Sequence, residues 1–229
     1  MADTPQKRTG IRAREIGFII LVLVVLAISL IAWMQSKRGE SSAVVSARNL
    51  QQWGIALNLH LIENDNELPA VGGEPISADQ TAAWYNALPT YLGLQPLAEM
   101  EPGSRPHPGQ SSLWIDPATK EPRVWDPTVF YFNYGMNRFL QPDPDLRPFK
   151  IYEIDYPGNV VFLTEIDGYA PVVTPDTVVF RRDPSATNAT AHVLFCDGHV
   201  APVTRDTLVD NPTSREAAAA ENGPSWFEK

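Results

Sequence analysis

The sequence predicts an α+β chain in which a long N-terminal helix crosses a membrane and packs on a small antiparallel β-sheet head. Three observations predict it. Residues 17–35 carry no charge and are dominated by Ile, Leu and Val, and these nineteen residues make about 28 Å of helix, one bilayer core. Beyond them, "AVVSARNLQQWGIALNLHLIEND" (43–65) repeats apolar residues at helical spacing. After residue 150 the apolar period falls toward two, and an Asp-Gly pair divides two apolar runs.

Residues 1–16 read as a basic cytoplasmic leader: Lys7, Arg8, Arg12 and Arg14 stand against Asp3 and Glu15, a net of +2. The span 17–35 follows, ending in Ala32-Trp33-Met34, which suits an interfacial belt better than a signal cleavage site. Four basic residues before the span and Lys37 and Arg38 after it put the N-terminus in the cytoplasm and the body outside. From residue 36 onward 14 basic and 25 acidic side chains give a net of −11, which argues against a nucleic-acid partner. The single Cys196 excludes an intrachain disulfide framework.

Residues 36–65 continue the helix outside the membrane, with Ala43, Ala47, Leu50, Trp53, Leu57 and Leu61 on one face. Gln51, Gln52 and Asn58 fall off that face, and Asn64-Asp65-Asn66 with Pro69 ends it. Residues 66–205 form the α+β head. Ten prolines between Pro96 and Pro148 make much of it loop. Within it "TAAWYNALPTYLGL" (81–94) reads as a short helix and "TVFYFNYGMN" (128–137) as an aromatic strand running into a turn. "GNVVFLTEID" (158–167) and "DTVVF" (176–180) read as buried strands, with Glu165 and Asp167 on a solvated rim.

"AHVLFCDGHVAPV" (191–203) reads as a hairpin whose two-residue type I′ loop, Asp197-Gly198, places Cys196 opposite His199 and Val193 opposite Pro202. Proline there makes 199–204 an edge strand. Residues 206–229 read as a short surface helix, with a capping box at Thr213 and Glu216, and a loose end.

Cys196, Asp197 and His199, with His192 nearby, read as structural, Asp197-Gly198 being the turn; they are also the candidate metal ligands, since thiolate and imidazole across a hairpin suit zinc, although two ligands do not complete a site. No G-x-S-x-G elbow is present, and the carboxylates are scattered, so the chain reads as a non-enzyme. Trp53, Trp84, Trp114 and Trp125 read as core.

The parts and their order resemble a prepilin-like or type II secretion pseudopilin-like protein. More narrowly they resemble the bacterial group with a C-terminal signature of histidine, nine residues, then Asp-Gly. The resemblance rests on the basic leader before Gly17-Phe18, the long apolar helix, "ARNLQQWGIALNLHLIENDNELP" (47–69), "AAWYNALPTYLG" (82–93), "YFNYGMN" (131–137) and "VLFCDGHV" (193–200). Three positions depart from it. Val22 replaces the glutamate five residues after the cleavage glycine, Thr187 stands where the histidine is expected, and the cysteine often found just before the Asn-Leu segment is missing, with Ala47 nearby.

The resemblance implies a pilin-like spine and cleavage between Gly17 and Phe18 by a prepilin peptidase, with methylation of the new Phe18 amine. It implies a structural subunit of a pilus or type II secretion-like assembly in the bacterial inner membrane, meeting similar subunits through its N-terminal helix. Because Val22 cannot pair with a neighbour's ammonium, the subunit is of minor or tip type. Small residues Ala27, Ser29 and Ala32 favour close approach of helices. No cofactor is expected: "ENDNE" (63–67) and "PDPD" (142–145) read as solvated acidic loops, and calcium there is a candidate only because some heads of the same group bind it, neither following an EF-hand pattern. The main alternative is an uncleaved, anchored binding module for a cation, a glycan or a protein. A tethered hydrolase, the third, requires a deep pocket where His192 or His199 meets a carboxylate.

Overall fold

Helix α1 (Ser42–Glu63) forms where the apolar spacing places it, and Leu50, Trp53, Ala56 and Leu57 on its inner face are fully buried. Burying Leu50 and Leu57 contributes roughly 2 kcal/mol each. Gln51, Gln52 and Asn58 point to solvent as their spacing requires. The inner face also takes Ser46, Asn49 and His60, three polar residues that the apolar pattern passes over. The computed structural model describes residues 42–119, 126–141, 143, 145–168, 170–181, 189–208 and 226.

This corrects the expected architecture. The α+β class stands, but among the described residues the first helix is a 22-residue amphipathic element, and no helix there is long and apolar enough to cross a membrane. The physical reason lies in α1 itself: one face packs on the sheet, and the other mixes exposed Gln51, Gln52 and Asn58 with exposed apolar residues, so the helix lacks the all-round apolar surface of a span. Residues 17–35, to which the span was assigned, lie outside the described residues.

α1 ends where Asp65 and Asn66 turn left-handed, at φ 53° and 61°, a conformation that Asp and Asn tolerate better than other side chains. The chain then runs to α2 (Trp84–Tyr91), which packs against α1. The sheet has the order β3-β1-β2-β4-β5, with β1 Phe132–Asn137, β2 Val161–Gly168, β3 Val172–Val173, β4 Thr190–Phe195 and β5 Val200–Thr204. It is mixed rather than antiparallel, because β3 runs parallel to β1. The segment 176–180, expected as a strand, instead makes one 3₁₀ turn (Pro175–Thr177) and a single bridge, Val178 to Ile166. Every residue of β1 is buried, as in a strand covered on both faces.

The β4–β5 hairpin differs from expectation by one residue. Gly198 N–H donates to Phe195 O at 2.9 Å and Phe195 N–H to His199 O at 3.0 Å, so the loop is Cys196-Asp197-Gly198, three residues long. Gly198 at φ 91° supplies the left-handed residue that such a loop needs. Phe195 therefore opposes His199, and Pro202 opposes His192 rather than Val193. Pro202 still falls at a non-hydrogen-bonded position, and β5 is the edge strand.

After β5, α3 (Arg205–Leu208) closes the described part of the C-terminal region, except for Trp226. Trp226 is not part of a loose end. It is buried, its Nε1 donates to Leu208 O at 2.7 Å, and its carbonyl accepts from Asn137 Nδ2 at 2.9 Å. The capping-box positions Thr213 and Glu216 lie outside the described residues.

α1 crosses β4 and β5 so closely that glycine faces glycine. A Cβ built at Gly54 stands 2.7 Å from the carbonyl oxygen of Gly198, and one built at Gly198 stands 2.5 Å from Asn58 Nδ2. Beside this contact Trp53 enters an aromatic cluster, 4.8 Å from Trp114 and 5.7 Å from Trp84, with Phe132 and Tyr85 behind. Gly54→Ala is expected to cost about 1–3 kcal/mol by overpacking. Gly73→Ala, where an added Cβ meets nothing within 4 Å, is expected to leave stability unchanged. Urea unfolding of the purified protein measures both.

Candidate functional site

The densest cluster of ionisable groups lies where β2 and β4 part. The two strands pair as far as Thr164 with Val193. Beyond that point Glu165 O accepts from Val179 N–H, and Arg181 exchanges backbone hydrogen bonds with Thr190 at 2.9 and 3.0 Å. The segment 178–181 thus fills the gap between the strands, and the Glu165 side chain closes it.

Glu165 is 3 % exposed. Its Oε2 accepts from the His192 backbone N–H at 3.2 Å, its Oε1 lies 2.9 Å from His192 Nδ1, and the same Oε1 accepts from Ser46 Oγ of α1. Ser46 Oγ is 3.1 Å from the Tyr134 hydroxyl, which in turn accepts from Asn49 Nδ2 at 3.3 Å. Asn49 also donates to the carbonyls of Ser112 and Ile115 at 3.2 Å each. These bonds hold the first turns of α1 to the sheet and to the loop ahead of Asp116.

Asp116, 1 % exposed, completes the cluster. Its Oδ2 accepts from Arg181 Nε at 2.6 Å and its Oδ1 from Ala118 N–H at 2.9 Å. Arg181 also donates to Thr119 Oγ1 at 3.0 Å. Burial, and secondarily the charge of Glu165, push the Asp116 carboxyl above its ordinary pKa; Arg181 and the Ala118 N–H oppose them. Burial likewise raises the Tyr134 phenol, with Asp116 adding to the shift.

Chemically the cluster ties α1 to the sheet, and its order is not that of a serine triad. In a serine triad the imidazole stands between hydroxyl and carboxylate. Here Glu165 Oε1 stands between Ser46 and His192, so the imidazole is not placed to take the Ser46 proton. The cavity lined by Ser42, Ser46, Asp116, Glu165, Arg181 and His192 holds about 70 Å³, far below the roughly 300 Å³ at which ligand clefts begin. His192 and His199 both meet a carboxylate, but the deep pocket that hydrolysis requires is not beside His192.

Glu165 corrects the sequence reading: it is not on a solvated rim but sealed under α1. Asp116, Arg181, Tyr134 and Ser46 had no motif to mark them. The one local signal is a glutamate directly after the apolar run Val160–Leu163 and Thr164, inside a strand rather than at its end.

The hairpin residues are placed separately. Cys196 is a buried thiol whose N–H donates to Val160 O at 2.9 Å. Half-exposed His199 stacks on Phe195, rings 4.4 Å apart, and its Nδ1 lies 2.6 Å from Asp197 Oδ1. The register slip removes the cross-strand Cys196–His199 pair on which a zinc site depended. Among the described residues no group of three or more His, Cys, Asp or Glu is arranged to hold a metal. Of the calcium candidates, Asp65 is taken by the Lys150 ammonium, which holds its carboxyl below the usual range. Gly17, Phe18, Val22, Trp125 and Thr187 lie outside the described residues.

A carboxyl with a raised folded-state pKa favours folding when protonated. The stability that Asp116 keeps below about pH 4 is therefore lost as pH rises through its elevated value. Arg181→Met removes the opposing guanidinium and is expected to cost about 3 kcal/mol at neutral pH, the lower end for a broken buried pair because Arg181 is partly exposed. The loss is expected to shrink as pH falls toward about 4, and Asp116→Asn in the same background is expected to recover most of it. Urea unfolding across this pH range reads the sign directly.

Compared with protein-family models, with curated proteins and with solved structures, the chain has no match in any of the three, so a functional reading rests on its own residues.

Proposed function

We propose that this chain is a membrane-anchored, prepilin-like structural subunit, of minor or tip type, in a pilus or a type II secretion-like assembly. The apolar stretch 17–35 holds it at the membrane, and the acidic head lies outside the cytoplasm. It is not an enzyme in this reading; its work is packing against similar subunits.

The observation that carries the reading is the two-sidedness of α1. Its inner face is spent on the head, buried against the sheet and α2. Its outer face leaves Ile55, Leu59 and Ile62 exposed at 56 %, 40 % and 78 %, spaced four and three residues apart. Scattered apolar residues on a surface are ordinary, but a helical stripe of them is what a neighbouring helix packs against.

A second reading, the uncleaved anchored binding module, is favoured by a different observation: a cavity of about 450 Å³ beside the C-terminal end of α1. The two readings predict different N-termini. Mass spectrometry of the chain purified from its native membrane is expected to find it beginning at an N-methylated Phe18. An intact leader would select the binding module, and recovery of the full chain from washes without detergent would overturn both.

A further inference from the structure

The left-handed turn at Asp65 and Asn66 sends the chain back past α1, and Ala70 then bridges to the segment before α2. Ala70 N–H donates to Ala82 O and Trp84 N–H to Ala70 O, both at 2.8 Å. Between this bridge, the end of α1 and the segment 96–99 lies the cavity of about 450 Å³. It falls within the roughly 300–1,000 Å³ of small-molecule clefts.

His60 is its most informative wall. The residue is 7 % exposed, and its Nδ1 faces the Asn64 amide nitrogen at 3.3 Å. Asn64 Nδ2 also donates to His60 O at 2.8 Å and to the Tyr91 hydroxyl at 3.0 Å, and because an amide nitrogen only donates, a neutral ring with its proton on Nε2 fits the contact. Among the described residues Nε2 makes no hydrogen bond, yet it is not among the buried atoms sealed off without a partner, which are Trp53 Nε1 and Trp114 Nε1. It therefore opens to accessible space, and the cavity is the space that His60 lines. Burial lowers the imidazole pKa, against the opposing charge of Glu63, so near neutral pH the ring is a neutral donor.

The remaining lining fixes the charge of an occupant. Glu67 and Glu99 stand in the wall, which contains no Lys or Arg. A carboxylate or phosphate ligand finds no cation in the lining, whereas an ammonium finds Glu99 and also Glu67, whose charge is shared with the nearby Arg147 guanidinium. Leu68, Pro69 and Pro96 supply an apolar side, with the hydroxyls of Thr81 and Thr90 on the rim.

We propose that this cavity binds a small amine bearing neutral oxygens, of the amino-sugar class. The ammonium lies toward Glu67 and Glu99, and a hydroxyl or ring oxygen accepts from His60 Nε2. A sugar of one or two rings matches the volume, and its C–H face suits the proline and leucine wall. The site stands whether or not the chain assembles with copies of itself.

Glucosamine, N-acetylglucosamine and glucose, each titrated into the full-length protein at about pH 7, below the ordinary pKa of an amine, test it. The readouts are His60 ring resonances and calorimetric heat. Glucosamine is expected to shift the His60 signals saturably, with the two neutral sugars at least roughly tenfold weaker, the worth of one charge-assisted hydrogen bond. Glu99→Gln, at an exposed position, is expected to weaken glucosamine roughly tenfold without changing the melting temperature. His60→Phe, which removes the donor, is expected to weaken all three sugars. Absence of a saturable shift up to about 10 mM, a range that detects even the weak end of specific binding, would overturn the proposal. So would equal affinity for glucose and glucosamine, or a folded Glu99→Gln protein that binds unchanged.

Discussion

The approach of α1 to the hairpin tip at Gly54 and Gly198 is the constraint on which the rest depends. A backbone carbonyl sits where a side chain on α1 would begin, so the helix is held at one depth and one rotation. Eight residues back, about 12 Å along the axis, Ser46 and Asn49 reach Tyr134 and the polar cluster under the first turns. Six residues on, about 9 Å, His60 reaches the cavity wall. Both ends of the helix are aimed from its middle. The mid-helix glycine costs up to about 1 kcal/mol of helix propensity, which the Trp53 cluster and the buried leucines offset.

The polar cluster does a different job from the aromatic one. Two sealed carboxylates, Asp116 and Glu165, face one guanidinium and one imidazole. Desolvating such groups consumes most of what their attraction returns, so the cluster adds little net stability. What it adds is directional. Leucine and tryptophan contacts tolerate a helix that slides, whereas Ser46 Oγ and Asn49 Nδ2 meet their acceptors in one register only. The aromatic cluster holds α1 down, and the polar cluster decides where along the sheet it lies.

Local pattern made much of this legible. The inner face of α1, its end at Asn64–Asn66, α2, β1, β2 and the edge strand all follow from periodicity, turn residues and the position of Pro202. What failed required knowledge of the third dimension. The hairpin slipped because Cys196 reads equally as the last residue of a strand or the first of a loop, and only the depth of Gly198 against Asn58 separates the two. β3 is two residues long and pairs with a strand far back in sequence, leaving no period to detect. Glu165 looked solvated because a buried carboxylate is defined by its partners, and these come from α1 and β4. Gly54 was the overlooked signal. A glycine between Trp53 and Ile55 in a helix is out of place unless something comes close, and Gly198 does.

α1 also sets how its two ends can communicate. Ser42 and His60 are eighteen residues apart, about 27 Å along a rigid rod, so a ligand at the cavity touches nothing at the polar cluster. Coupling between them would require α1 to shift as a body, and the Gly54–Gly198 contact resists that because either direction of travel brings backbone onto backbone or Asn58 onto the hairpin tip. If both proposals hold, one helix has two independent uses. The outward stripe Ile55, Leu59 and Ile62 can meet a neighbour while the cavity fills or empties, because neither event needs the inner face to repack. A subunit held in an assembly by α1 would keep its cavity in working order, and occupancy of the cavity would not loosen the assembly.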